Sequence, residues 1–216
     1  MMTIHDFSNT ASLISHYMNE LRDVNIQKDR MRFRKNIERI GEIMAYEVSK
    51  SLAYQKREVT TPLGTHTGLE LAEQPVLITI LRAGLSMHQG FLNCFDHADC
   101  GFIAAYRNHH TDHSFDIVLE YLATPNLDDR TVLLIDPMLA SGQSIETAYQ
   151  ALLKHGKPKQ LHVVSLIGSR EGVTYLTEKL PFATLWIAGI DEELNPDKYI
   201  VPGLGDAGDL CFGEKI

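Results

Sequence analysis

Between residues 76 and 187 the chain alternates strand-sized apolar runs with amphipathic helical patterns, and this alternation limits the available folds more than any other feature. The apolar runs are Val76–Leu81, Phe102–Tyr106, Thr131–Asp136, His162–Ile167 and Thr184–Ile187, and helical patterns at Leu85–Phe95, Ser144–Lys154 and Arg170–Lys179 separate most of them. A strand that is apolar along its whole length must be covered on both faces. A helix between two such strands returns the chain so that the next strand can lie parallel to the last. The expected fold class is therefore α/β, a parallel sheet flanked by helices.

Two more helices are expected earlier, over residues 11–22 and 30–52. In the second, Phe33, Ile37, Ile40, Met44 and Val48 recur at three- and four-residue spacing and form one apolar stripe. Its first turn is basic (Arg30, Arg32, Arg34, Lys35), which opposes the helix dipole and reads either as a solvated face or as a contact to an anion or effector. The stretch Asn108–Asn126 breaks the alternation: it is polar, rich in histidine and not followed by an evident helix, as in a hairpin or flap. The stretch Asp191–Ile216, with Pro196, Pro202 and four glycines from Gly203 to Gly213, is expected to be long and irregular, a trait of functional segments. No repeat or linker divides the chain, so residues 1–216 are expected to form one domain with a flap at about 108–125.

The 44% hydrophobic content is ample for a core, and the net charge of −8 argues against broad nucleic-acid binding, which needs a basic face. A polyanionic ligand would have to be held by local backbone N–H groups, a few arginines and a metal ion, against the protein's overall field. The apolar runs are too short to span a membrane, and the first residues have neither a basic nor an apolar leader region. Cys94, Cys100 and Cys211 have no metal-ligand spacing, and their odd number does not suggest a disulfide framework. A cytoplasmic protein with reduced thiols is expected.

Three segments carry the chemistry. Thr131–Ser144 (TVLLIDPMLASGQS) runs a buried strand into an acid, then into a short loop with serines around a glycine, then into a helix. Free N–H groups, two hydroxyls and a positive helix end would meet at the carboxyl edge of the sheet, an arrangement that binds a phosphate monoester. An ordinary connection with Ser144 as the helix cap is the alternative. The loop lacks the Gly-Lys-Ser/Thr ending of a Walker A motif, so nucleoside-triphosphate hydrolysis is not indicated. Leu81-Arg82-Ala83-Gly84 places a second strand end against a helix start, now with an arginine in the turn. Tyr199–Asp209 (YIVPGLGDAGD) has glycines that let a turning backbone approach a flat ligand closely, or that simply shape a surface loop.

Together these segments resemble the uracil phosphoribosyltransferase family of type I phosphoribosyltransferases. The similarity runs from Leu21-Arg22-Asp23 and Phe33-Arg34 to Phe212-Gly213, and is densest at Ile80–Leu85, Asp136–Gly142, Ile190–Glu192 and Tyr199–Asp209. The string Pro202–Asp209 is its most specific part. The resemblance implies transfer of phosphoribose from phosphoribosyl pyrophosphate (PRPP) to uracil, giving UMP and pyrophosphate. By matching position, Ala140, Ser141, Gly142, Gln143 and Ser144 would hold the 5′-phosphate, with Asp136 against the ribose hydroxyls. Arg82, Ala83 and Gly84, with Arg107 beside them, would hold the pyrophosphate. Ile200, Gly205 and Ala207 would read uracil through their backbones, and Asp206 would face the ribose or hydrated Mg²⁺. The resemblance also implies Mg²⁺ held mainly through substrate and water, a GTP effector, and a homodimer or homotetramer.

Several residues depart from the family pattern. Ser141 replaces a threonine, Gln143 a glycine and Leu210 a basic residue. The stretch 108–125 lacks the usual Arg-x-x-x-Thr-Leu-x-Pro and carries His109, His110 and His113, which read as solvent-exposed flap residues or as a metal site. Arg107 reads equally as a surface arginine. Two other functions fit the same fold: an RNA-binding regulator of pyrimidine genes, opposed by the net acidity, and a PRPP or nucleotide sensor without turnover.

Overall fold

The computed structural model describes residues 1–109 and 115–214, with side chains described for 1–104 and 119–214. Strand β1 (Thr3–Asp6) precedes helices α1 (Leu13–Arg22) and α2 (Arg30–Ser49), close to the two helices expected there. A hairpin of β2 (Tyr54–Thr61) and β3 (Gly64–Leu71) forms a separate two-stranded sheet. The main sheet then opens with β4 (Val76–Leu81), followed by α3 (Gly84–Cys94), β5 (Asp99–His109), β6 (Phe115–Ala123) and β7 (Thr131–Ile135). The short β8 (Met138–Leu139), α4 (Gln143–Leu152), β9 (Gln160–Ser169), α5 (Arg170–Lys179) and β10 (Thr184–Asp191) complete the alternation. The C-terminal region holds β11 (Glu193–Leu194), β12 (Ile200–Val201) and α6 (Ala207–Phe212).

The main sheet has strand order β1-β10-β9-β7-β4-β5-β6, with β8 added beside β9. Its pairings are parallel except between β5 and β6. Alternate residues of each central strand enter opposite cores. Leu77, Leu133 and Ile135 face α1, α2 and α3 with Phe33, Ile37 and Phe91, while Val76, Ile78, Val132 and Leu134 face Ile145, Leu152 and Leu176 of α4 and α5. This two-sided burial is why those strands read as continuous apolar runs. From β4 the chain moves outward to β5 and then returns past β4 to β7 and on to β9 and β10. The order therefore reverses between β4 and β7, and a crevice at their carboxyl ends is where an open α/β sheet binds its ligands.

Three features differ from the sequence expectation. Strand β1 lies at the sheet edge against β10, but its four residues are too few for a periodic signal. The sequence does not signal the β2–β3 hairpin because none of its residues is buried and alternation has no buried face to report. The segment from 191 onward is not structureless, since β11 pairs with β12 and α6 follows. The excursion at Asn108–Asn126 is partly the antiparallel β5–β6 ladder, extending to His109 opposite Phe115.

One buried histidine lies far from the sheet's carboxyl edge. Trp186 Nε1 donates to His162 Nδ1 at 3.1 Å, His5 of β1 stacks on the indole at 3.8 Å, and His162 Nε2 is buried without a partner among the described residues. Burial, with His5 nearby, lowers the His162 pKa to about 4.

Candidate active site

The loop after β7 begins at Asp136, whose amide donates to the Val164 carbonyl at 3.0 Å and whose carboxylate accepts from the Met138 amide at 3.2 Å. The carboxylate is thereby fixed at the strand end, with the residue 8% exposed. The loop turns into α4 through Gly142, at φ 82°, a conformation disfavoured for residues with a Cβ. A Cβ there would also come within 2.9 Å of the Tyr175 ring. Gly142, not Ser144, is the N-cap, and it provides no side chain to cap the first turn. The first amides of α4 are therefore left without a side-chain cap. Asp136, Ala140, Ser141, Gly142 and Ser144 help line a small, open concavity. Gln143 is exposed, so the substitution there does not fill it.

Two residues that the sequence reading did not single out hold this loop in place. Ser169, fully buried at the end of β9, donates its hydroxyl to the Ala140 carbonyl at 2.7 Å and accepts from the Gly172 amide at 2.9 Å as the cap of α5. Because a trans peptide points its C=O and N–H in opposite directions, this bond turns the Ser141 amide away from α5. That amide has no protein acceptor among the described residues. Tyr175 donates to the Glu146 carboxylate in the first turns of α4, and this bond, with burial, raises the phenol's pKa to about 12.

The loop after β4 lies against the first. A Cβ on Gly84 would approach Thr79 Cγ2 to 2.6 Å and the Ile135 carbonyl to 3.3 Å, so the start of α3 reaches the end of β7 only without a side chain. The Leu81–Arg82 peptide is cis. Arg82 extends toward the C-terminal segment, where its Nη2 meets Asp209 Oδ1 at 2.5 Å and its Nη1 donates to the Gly213 carbonyl at 3.1 Å. It remains 38% exposed, so a ligand can still reach the guanidinium.

The third segment is a turn on short elements. Ile200 is buried and paired with Leu194, Gly203 and Gly205 have positive φ, and Asp206 caps α6 by accepting from the Asp209 amide at 3.0 Å. Ala207 is buried, whereas Gly205 is exposed. A Cβ on Gly203 would lie 2.0 Å from the Ile200 carbonyl, so the turn closes only on glycine. The N-terminal helices hold its other side. Arg34 donates to the Cys211 carbonyl at 2.7 Å, and Arg32 forms a two-pronged pair with Glu20 at 2.6 and 3.0 Å. The basic first turn of α2 is thus largely engaged within the protein, rather than only solvated or open to an anion.

The sequence-predicted groups therefore meet: Gly84 joins the β4 loop to the β7 loop, and Arg82 joins it to the C-terminal turn. Arg107 lies on β5 opposite Ile117 and His109 opposite Phe115, with side chains outside the described residues; His110 and His113 lie outside them altogether. Among the described residues no cluster of three or more His, Cys, Asp or Glu could hold a metal ion. The Asp136 carboxylate at the crevice suits one contact to a hard, hydrated Mg²⁺ that draws other ligands from phosphate oxygens.

The uracil phosphoribosyltransferase family model matches residues 8–214, which contain all three loops. The chain belongs to this family. A uracil phosphoribosyltransferase of Porphyromonas gingivalis is 51% identical over 206 residues, 95% of each chain. A solved protein of Aquifex aeolicus superposes with a TM-score of 0.86 at 32% identity, covering 97% of this chain and 98% of its own. A hypoxanthine phosphoribosyltransferase of Staphylococcus aureus, at 14% identity and a TM-score of 0.53 over 86% and 84% of the two chains, shares the fold. The core is therefore the type I phosphoribosyltransferase sheet.

Proposed function

We propose that the protein transfers the phosphoribosyl group of PRPP to uracil, yielding UMP and pyrophosphate. The observation that carries this reading is the meeting of three loops at the strand-order reversal, two with free helix-start geometry and one a glycine turn. PRPP presents phosphates at both ends of a ribose, and the loops after β7 and β4 supply two adjacent anion sites. In this reading the amides and hydroxyls of Ala140–Ser144 hold the 5′-phosphate, and Asp136 accepts from the ribose hydroxyls. Arg82, Ala83 and Gly84, with Arg107, hold the pyrophosphate; Ile200, Gly205 and Ala207 offer main-chain groups to uracil, with Asp206 toward the ribose.

The C1–O bond to pyrophosphate breaks as uracil N1 bonds to C1, and the N1 proton leaves to solvent. The sugar passes through oxocarbenium character while negative charge collects on the leaving group, where Arg82 supplies a cation held by Asp209 and the Gly213 carbonyl. Mg²⁺, held by PRPP oxygens, water and Asp136 or Asp206, would offset the same charge. Main-chain donors to the uracil carbonyls make N1–H more acidic, so no dedicated base is needed. Positioning of the two substrates contributes the rest.

A homodimer or homotetramer is part of the proposal. The β2–β3 hairpin buries no residue and exposes Tyr54, Val59, Leu63 and Leu69, and a lone hairpin is marginal in water. Control by GTP rests on family membership alone, since Glu20, the Cys211 carbonyl and Glu38 already engage Arg32, Arg34 and Lys35. No described helix is long and apolar enough to cross a membrane, and we place the protein in the cytoplasm. The test is pyrophosphate release from PRPP with uracil, cytosine, hypoxanthine or orotate. Uracil should be preferred over cytosine by roughly 10²–10⁴-fold, because two mismatched buried polar groups cost about 1–3 kcal/mol each. Preference for another base refutes the substrate assignment, and PRPP binding without turnover would favour the sensor.

A further inference from the structure

We infer that Arg22 and Asp191 are positioning residues that lock the backbone of the base-reading turn and so determine its selectivity for uracil over cytosine. The inference rests on the reading of Ile200–Ala207 as the base site. Asp191, at the end of β10 and 7% exposed, accepts from Arg22 Nη2 and Nη1 at 2.7 Å each and from the Gly203 amide at 2.8 Å. Arg22 Nη1 also donates to the Gly203 carbonyl at 2.9 Å. Both polar groups of Gly203 are therefore held by one ion pair, which fixes the peptide planes on either side of it. The next carbonyl, of Leu204, accepts from Gln27 Nε2 at 3.1 Å, and that amide also donates to the Leu21 carbonyl at 2.8 Å. The end of β10 is itself pinned, because the Ile190 amide donates to Ser8 Oγ at 2.9 Å.

A main-chain reader differs from a side-chain reader in one respect. Rotating a peptide plane exchanges N–H for C=O at the same place, and uracil and cytosine differ by such an exchange at position 4 and ring nitrogen 3. A turn free to rotate would accept either base, and glycines make rotation easy. Gly203 and Gly205 both lie within the reading stretch, so discrimination requires an anchor outside the turn. The Arg22–Asp191 pair is that anchor, drawn from α1 and β10 and attached to Gly203.

The test uses the full-length protein and the variants Arg22→Lys and Asp191→Asn. Lysine keeps the charge but cannot make the two-pronged pair while also holding Gly203; asparagine keeps the shape without the charge. Steady-state assays measure kcat and KM for uracil and PRPP, and kcat/KM for uracil against cytosine, with thermal unfolding measured in parallel. In both variants KM for uracil should rise tenfold or more and the uracil-to-cytosine ratio should fall at least tenfold, while KM for PRPP stays within twofold. The double variant should be no worse than the weaker single, because the two side chains act as one unit. If Asp191→Asn does not fold, Arg22→Lys, whose side chain is 26% exposed, carries the test. Unchanged selectivity in a folded variant, or equal rises in both KM values, overturns the inference. Wild-type turnover in the same assay separates the layers: failure to use uracil defeats the base-site reading itself, whereas uracil use with unaltered variant selectivity defeats only the role of the pair.

Discussion

Removing one hydroxyl, in Ser169→Ala, should uncouple the phosphate loop from the sheet. Ser169 Oγ holds the Ala140 carbonyl at 2.7 Å and caps α5 through the Gly172 amide at 2.9 Å, in a fully buried residue that water cannot rescue. Leaving a buried carbonyl unpaired costs about 1–3 kcal/mol, and losing a serine cap costs about 0.5–2 kcal/mol. Together these predict destabilisation of roughly 1.5–5 kcal/mol, or a fall in Tm on the order of 3–20 °C for a chain of this size. The functional consequence is separable. Once the Ala140–Ser141 peptide can rotate, the Ser141 amide no longer points steadily at the 5′-phosphate, and a charge-assisted hydrogen bond of about 1.5–3 kcal/mol is lost. KM for PRPP should rise roughly 10- to 100-fold, with KM for uracil at saturating PRPP nearly unchanged. Gly172→Ala attacks the same peptide from the other side, since its Cβ would lie 2.2 Å from the Ala140 carbonyl oxygen, and should reproduce the PRPP defect. The assay is pyrophosphate release at a temperature below the measured unfolding of both variants. A folded Ser169→Ala protein with normal KM for PRPP would refute the assignment of the Ser141 amide to the phosphate.

Arg82→Ala should weaken PRPP and pyrophosphate binding far more than UMP binding in calorimetry. UMP should lose only a few-fold, through release of Asp209 and the Gly213 carbonyl; equal losses for all three ligands would reduce Arg82 to a structural tie. Asp136→Asn should lower kcat/KM at least about tenfold with unfolding unchanged, from loss of a charge-assisted bond of roughly 1.5–3 kcal/mol, and unaltered activity would show that the loop is misassigned. The His162 pKa of about 4 against an ordinary 6.5 means that the unfolded chain takes up the proton first on acidification. Stability from neutral His162 is complete above about pH 6.5 and drains as pH falls to 4, by up to about 3 kcal/mol. Urea unfolding at pH 7 and 4.5 should therefore show a smaller acid loss in His162→Asn than in the wild type; equal losses would contradict the buried neutral ring.

The sequence determined the parallel α/β core by itself, because strands such as Val76–Leu81 and Thr131–Ile135 are buried on both faces and leave a continuous apolar record. It also revealed the three loops: glycines, serines and an acid at strand-to-helix junctions follow from local backbone geometry, which is written locally. Elements without a buried face left no such record. The β2–β3 hairpin is exposed on both sides, and α6 is too short to show a period. Tertiary structure alone decided what holds the loops. Arg22, Asp191 and Ser169 are ordinary residues in sequence, and the first two lay in recognised stretches without a role. Each acquires meaning from a partner brought close only by the assembled sheet and its packed helices, as when Arg22 of α1 meets Gly203 near the other end of the chain. Local pattern encodes which face of an element must be covered; the identity of the distant polar group that a buried hydroxyl or carboxylate satisfies depends on the completed packing.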